Sequence, residues 1–515
     1  MTALSLERSG SLGWFAAHEI RLTWRDWMSM MTAGKRVREK IALVGVLGFV
    51  AGLHLLAYAL LREPFATGVT ADKATLTFLT ALGLLGGSLM LSQAIESVTR
   101  AFYARSDLDL ILSSPASARA LFSVRIAAIV LTTASLSLMM VLPFVVVAVA
   151  IDGVRWLAMI PTLFAAAACA TAVAVLATIA MFKTLGARRT RLIAQIIAAV
   201  VGAAFLIGTQ IAAIVSYGQM SRIELFSSAE LQEWLPSITS AVWIPARAAM
   251  GQPFELILMV GASFALLAVV IAAHAGRFGE YVLVAASASE GGDGSAKGTT
   301  FASRSPEDAL RKKEWRLLAR DPWLVSQTLM QVLYLVPPAV LLWQNYGDET
   351  GAFVILAPVL VMAVGQLAGG LAWLAISGED APDLVASAPV APASATTAKA
   401  SSVLLVAFAA ASPLLLALTF GSAWVALVAA VFVAISAASA ISIQLWFRRP
   451  MSRAQFRRRQ TASRTSTIAE AFSSILWAGA AALAAAGTFL SLVFCVLALG
   501  VLAIAWFMRP TDQVT

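Results

Sequence analysis

The chain is 515 residues long, 60% hydrophobic and only 13% charged, with a formal net charge of +9. Soluble domains average about 25% charged residues, so this composition, with a mean hydropathy of +0.83, excludes an ordinary soluble enzyme and indicates a polytopic membrane protein. The positive balance is read as cytoplasmic loops obeying the positive-inside rule, and no nucleic-acid partner is expected.

The first long apolar run begins near Ile41, which argues against a cleavable signal at the start. Before it, Trp14 to Met31 reads as a helix lying along the membrane. Ala17, Ile20, Trp24, Trp27, Met28 and Met31 share one face, while Glu19, Arg21, Arg25 and Asp26 lie away from it. Apolar periodicity then predicts spans at Ile41–Leu61, Ala74–Ile95, Leu121–Ala150, Trp156–Phe182, Leu192–Val215 and Phe254–Ala275. Pro143 predicts a kink or an irregular outer end in the third.

Between the fifth and sixth spans, Ser216 to Pro253 is an apolar-aromatic loop. Its Trp234, Pro236, Trp243 and Pro245 predict short interfacial or re-entrant helices at the outer surface, acting as a lid or as a passive cap. Residues 287–303, rich in Ser, Gly and Asp at the start, read as a linker between a first half (1–286) and a second (304–515).

The second half repeats the first. Glu314, Arg316, Arg320 and Asp321 reproduce the pattern E-x-R-L-x-x-R-D of Glu19 to Asp26. Asp109-Leu110-x-x-Ser113-x-Pro115 returns as Asp383-Leu384-x-x-Ser387-x-Pro389, and Arg189 to Gln195 returns as Arg464 to Glu470. Spans are predicted at Leu324–Trp343, Ala352–Ile376, Ser401–Phe420, Trp424–Trp446, Ile468–Gly487 and Phe489–Met508. The expected fold is therefore all-α, with about twelve transmembrane helices in two parallel six-helix halves, each preceded by an amphipathic interfacial helix.

Charge supports that layout. The predicted outer loops hold only Arg62, Lys73, Arg155, Arg222 and Arg247 of the 37 Lys and Arg residues, which fixes both termini in the cytoplasm. An even number of spans gives the halves the same orientation, related by a pseudo-two-fold axis along the membrane normal. Both D-L-x-x-S-x-P segments then fall in cytoplasmic loops between the second and third spans. Such a segment is a structural turn or, because it is duplicated, a contact for a two-fold symmetric partner.

Catalytic chemistry is not visible. Gly291 to Thr300 is rich in Gly and contains Lys297, but lacks the G-K-[ST] order of a phosphate loop. His18, His54 and His274 are scattered, and Cys169 and Cys495 lie in apolar runs, so neither a metal nor a disulfide is expected. Glu96, Lys183 and Glu470 fall near inner helix ends, within predicted reach of water, and span centres hold no charge. Gln93 and Gln366, at nearly equivalent places, are read as packing groups or as pore-lining polar residues.

Taken together, the paired E-x-R-L-x-x-R-D helices, the D-L-x-x-S-S-P-A-S segment and the aromatic-proline loop resemble bacterial ABC-2-type permeases, in a long form with two six-span halves. The resemblance implies the membrane subunit of an ATP-binding-cassette exporter in the bacterial inner membrane. It also implies that Asp109, Leu110, Ser113 and Pro115, with Asp383, Leu384, Ser387 and Pro389, dock a separate cytoplasmic ATPase in two copies. The chain itself would then bind no cofactor, ATP being used by that partner. The second loop departs from the first in adding Glu379 and Asp380. The alternatives are a secondary carrier of major-facilitator type and a non-transporting membrane scaffold.

Overall fold

The structure, a computed structural model, describes residues 37–66, 68–103, 118–217, 233–280, 305–320, 352–377, 391–447 and 464–509, with Arg21 and a few isolated positions between 329 and 387. Every regular element among them is helical. Nine of the described helical stretches are long and apolar enough to cross a membrane, and Ser491–Phe507 is a shorter apolar helix. The protein is thus an all-α polytopic membrane protein. It divides into two compact units, Met1–Thr209 with Ser221–Gly294, and Gln210–Met220 with Ser295–Thr515.

The first unit contains α1 (Val37–Ala66), α2 (Lys73–Tyr103) and α3 (Ala118–Asp152), where the first three spans were predicted. The helical assignment of α3 continues through Pro143 and stops at Asp152, where Gly153 leads into a 3-10 turn, Val154–Ala158. The next two predicted spans are found as Val154–Gly186 and Leu192–Ala212, the two arms of α4 (Met159–Tyr217), which is kinked at Gly186. There φ is 74° and ψ is 163°, a region open essentially to glycine alone. The Thr190 hydroxyl donates to Gly186 O at 2.8 Å and anchors the restart. Short α5 (Ile244–Ala249) and long α6 (Pro253–His274) follow, each with Pro in its first turn, where the missing N–H costs nothing.

Small side chains let these helices approach closely. Ala167, Ala168, Ala172 and Ala174 are fully buried in a core with Met90, Phe102, Phe122 and Phe278. Large apolar side chains such as Leu55, Phe254 and Val269 point outward, as expected where lipid is the solvent.

In the second unit, α7 (Pro306–Arg320) is the amphipathic helix of that half. It packs on α9 (Pro392–Gly421), while α8 (Ala352–Ser377), α10 (Ala423–Trp446) and α11 (Arg464–Ala485) form the centre. α12 (Ser491–Phe507) lies mainly on α11. α9 begins at Pro392, well before the predicted start at Ser401, because proline at the first turn and the polar but helix-compatible Ala393 to Ala400 extend it. The predicted span Leu324–Trp343 lies outside the described residues apart from isolated helical positions.

Candidate functional site

The stems of the two D-L-x-x-S-x-P loops are well defined. In the first unit the loop leaves from the end of α2 and returns at the start of α3. Phe102 on the leaving stem and Phe122 on the returning stem both pack on Phe278, with ring centroids 5.4 and 5.1 Å away. Arg125, on the first turns of α3, is only 4% exposed, and its Nη1 donates to the carbonyl of Ala101 at 3.1 Å. In the second unit the loop leaves from the end of α8 and returns into α9. Lys399 Nζ donates to the carbonyl of Ala375 at 2.5 Å.

Lys399 has a second partner. Its Nζ lies 3.0 Å from Glu314 Oε1 on α7, and Lys313 Nζ approaches the same oxygen at 3.6 Å. Glu314 is 2% exposed. The outward-facing charges expected of the first-copy helix are therefore not matched at every position of the second copy. The glutamate is turned inward and held by a cation from α9, while Arg316 is exposed as expected. A counter-charge at hydrogen-bond distance offsets the cost of burying a carboxylate, and Lys399 supplies one.

A correction concerns Glu470. It is 6% exposed rather than solvent-reaching, and Gln444 Nε2 donates to its Oε2 at 2.6 Å. Ser436, Ser439, Ser473 and Ser474 are also buried nearby on α10 and α11, and Trp477 Nε1 donates to Ser439 Oγ at 3.0 Å. On the facing helix α8, a Cβ at position 369 would fall 1.9 Å from Glu470 Oε1, and one at 365 would fall 2.2 Å from Ser436 Oγ. Gly365 and Gly369 therefore make room for this polar seam.

At the opposite end of the first unit a cap closes over the ends of α1 and α3. Asp152 accepts from Trp156 Nε1 at 2.9 Å, from the Val69 N–H at 3.4 Å, and from Arg155. Arg155 Nη2 also donates to Val69 O at 2.7 Å. Trp156 stacks on Phe65 with centroids 5.0 Å apart, and shares a buried cluster with Leu76, Trp243 and Met250. Gly251, at φ 86°, lies against the Arg155 carbonyl, which a Cβ would approach to 2.6 Å. Arg247 and Glu255 pair at 3.6 Å beside it.

The aromatic-proline segment does form short helices, but its four singled-out residues do not form one surface. Trp243 is 1% exposed and bonded through Nε1 to Ser237 O at 3.0 Å, whereas Trp234 is 89% exposed. Pro236 and Pro245 are exposed. Gln93 is half-buried on α2 and Gln366 is exposed on α8, so the two do not occupy matching environments. Ser387 is an exposed turn residue and Arg21 an exposed helical one; Arg320 ends α7. Asp109, Leu110, Ser113, Pro115, Asp383, Leu384, Pro389, Glu19, Arg25, Asp26 and Asp321 lie outside the described residues.

The residues that sequence reasoning passed over are Arg125, Asp152, Trp156, Lys399 and Gln444. Their sequence signal was polarity at the margin of an apolar run, which also fits an exposed helix end. Among the described residues no group of three or more His, Cys, Asp or Glu is placed to hold a metal. No curated protein matches the chain. A family model described as a membrane protein of 12 TMs matches residues 51–509. The match runs through both units, and the chain belongs to this family of twelve-span membrane proteins.

Proposed function

We propose that this chain is the permease subunit of an ATP-driven exporter of ABC-2 type, with a cytoplasmic ATPase docking on its two D-L-x-x-S-x-P loops. The observation that carries the reading is the duplication of those loops, each joining the same pair of helices of its half: α2 to α3, and α8 to α9. The family match over both units supports it. In this reading the twelve spans form two parallel halves, 1–286 and 304–515, tethered by residues 287–303. Both termini lie in the cytoplasm of a bacterial cell, and the chain hydrolyses nothing itself. Two ATPase copies closing beneath the loops would rock the halves against each other, a motion suited to a parallel repeat.

The test is co-purification of the tagged chain with a soluble ATPase encoded beside it. The expected result is a stable complex whose ATP hydrolysis exceeds that of the ATPase alone. Asp109→Arg should weaken the complex, and Asp383→Arg should weaken it less because Glu379 and Asp380 keep that loop acidic. An unaltered complex in both variants would overturn the docking role.

The buried Glu470–Gln444 pair favours one second reading, an ion-coupled carrier, since such carriers use a carboxylate within the bundle. Reconstituted vesicles separate the two. Transport driven by an imposed proton gradient without ATP, and abolished in Glu470→Gln, would select the carrier.

A further inference from the structure

Arg125 and Lys399 do the same thing in the two units. Each is a buried or nearly buried cation on the helix that follows the D-L-x-x-S-x-P loop, and each donates to a backbone carbonyl on the helix that precedes it. The donor lies 24 residues after its acceptor in both cases. The offset between copies is constant: 399 less 125 and 375 less 101 both give 274, as do 383 less 109 and 389 less 115. A shared spacing of donor, acceptor and motif is a structural repeat, and it closes each loop at its base.

In the second unit the staple has a third component. Glu314 of the amphipathic helix places Oε1 3.0 Å from Lys399 Nζ. It is the first residue of the E-x-R-L-x-x-R-D pattern, whose first copy begins at Glu19. One cation therefore joins the leaving stem, the returning stem and the amphipathic helix. A pair with one side chain held by a backbone carbonyl transmits displacement more faithfully than a surface pair does, because its geometry is fixed and it is removed from solvent.

We propose that Lys399 and Arg125 are the positioning residues of the two loops, each binding both loop stems, and that Lys399 also receives Glu314, the leading glutamate of the amphipathic helix α7. Movement imposed on a loop then reaches two spans and the amphipathic helix as one piece. The identity of what moves the loop, an ATPase, rests on the reading above; the three-way staple does not.

The experiment uses the full chain, alone in detergent and in complex with its candidate ATPase, with Glu314→Gln, Lys399→Met, the double variant, the exchange Glu314→Lys with Lys399→Glu, and Lys399→Arg. Lys399→Met takes the closer cation from the buried Glu314 carboxylate, leaving Lys313 at 3.6 Å, and should lower the thermal midpoint by on the order of 5–10 °C. The double variant should recover at least half of that loss and the exchange should recover part of it, since partners in contact are not additive. Lys399→Arg should retain the wild-type midpoint, because the first unit places arginine at this position. In the first unit Arg125→Lys should likewise retain the wild-type midpoint, and Arg125→Met should lower it.

In the complex, Lys399→Met should leave ATPase binding within about twofold while reducing the permease-stimulated hydrolysis by about tenfold, a split that a merely structural residue would not give. Additive midpoints, with no recovery in the double variant or the exchange, overturn the staple. A normal midpoint cycle with unchanged stimulated hydrolysis overturns its coupling role. Failure of the wild-type chain to bind any ATPase overturns the docking reading and the coupling role together, while the midpoint cycle still decides the staple.

Discussion

Gln444 and Glu470 meet inside the second unit, with Nε2 of the amide 2.6 Å from Oε2 of the carboxylate and both side chains buried. The two sit on α10 and α11, and the backbone of α8 passes over them at Gly369. A carboxylate there is compatible with close helix packing only because the facing residue has no side chain.

Gly369→Leu should therefore be costly. Its Cβ would start 1.9 Å from Glu470 Oε1, so the glutamate or α8 must move, and overpacking of this kind costs about 1–3 kcal/mol. Combining it with Glu470→Ala removes the obstructing atoms and should restore much of the loss. Thermal unfolding of the purified chain measures both; equal damage in single and double variants would locate the conflict elsewhere.

Two glycines with positive φ should differ in what they tolerate. Gly186→Ala meets no atom within 4 Å but is held at φ 74°, ψ 163°, so the expected cost is about 1–3 kcal/mol of backbone strain alone. Gly251→Ala adds a backbone clash, its Cβ falling 2.6 Å from the Arg155 carbonyl, and should destabilise more than Gly186→Ala. The two midpoints, compared in the same detergent, check the order.

Asp152 is the hub of the cap, accepting from Trp156, Val69 and Arg155. Asp152→Ala leaves three donors without that acceptor, and an expected loss of about 2–4 kcal/mol follows from losing hydrogen bonds to a charged, partly exposed carboxylate. Asp152→Asn keeps one carbonyl oxygen and should lose less. Proteolysis within the segment 233–252, before and after each substitution, reports whether the cap has loosened locally.

The proposed topology places Ser387 and Trp234 on opposite sides of the membrane. In a chain with Cys169 and Cys495 replaced by alanine, Trp234→Cys should react with an impermeant thiol reagent in intact cells. Ser387→Cys should react only after permeabilisation, since both positions are exposed on the protein itself. The reverse pattern would invert the assignment of inner and outer faces.

Much of the fold was legible because a membrane limits the available structures to those satisfying their own backbone bonds. Long apolar runs became α1, α2, α3, α6, α10 and α11 with boundaries displaced by a few residues. Within α4 the spans predicted at Trp156–Phe182 and Leu192–Val215 correspond to Val154–Gly186 and Leu192–Ala212, but the positive-φ backbone of Gly186 that separates them was not legible, because the helical pattern continues on both sides. Side-chain placement was harder still. The repeat pattern identified Glu314 as the counterpart of Glu19 but not its burial, which involves Lys399, a residue of α9. The same limit applies to Trp243 and Trp234: they lie nine residues apart in one aromatic loop, but the first is buried in a cluster that Phe65, Leu76 and Trp156 supply from elsewhere in the chain, and the second is exposed.

Closure of the loops at Ala101–Arg125 and Ala375–Lys399 bears on how such a protein can diversify. A segment whose two ends are fastened to each other can be lengthened, shortened or rewritten without disturbing the helices it connects, because loop length changes the entropy of closure only slowly. The two copies, equal in length, already illustrate the rewriting: Arg105-Ser-Asp-Leu-Asp109 in one stands where Glu379-Asp-Ala-Pro-Asp383 stands in the other. Duplication thus gives two adaptors on frames of the same spacing, each free to change toward its own ligand while its mounting holds.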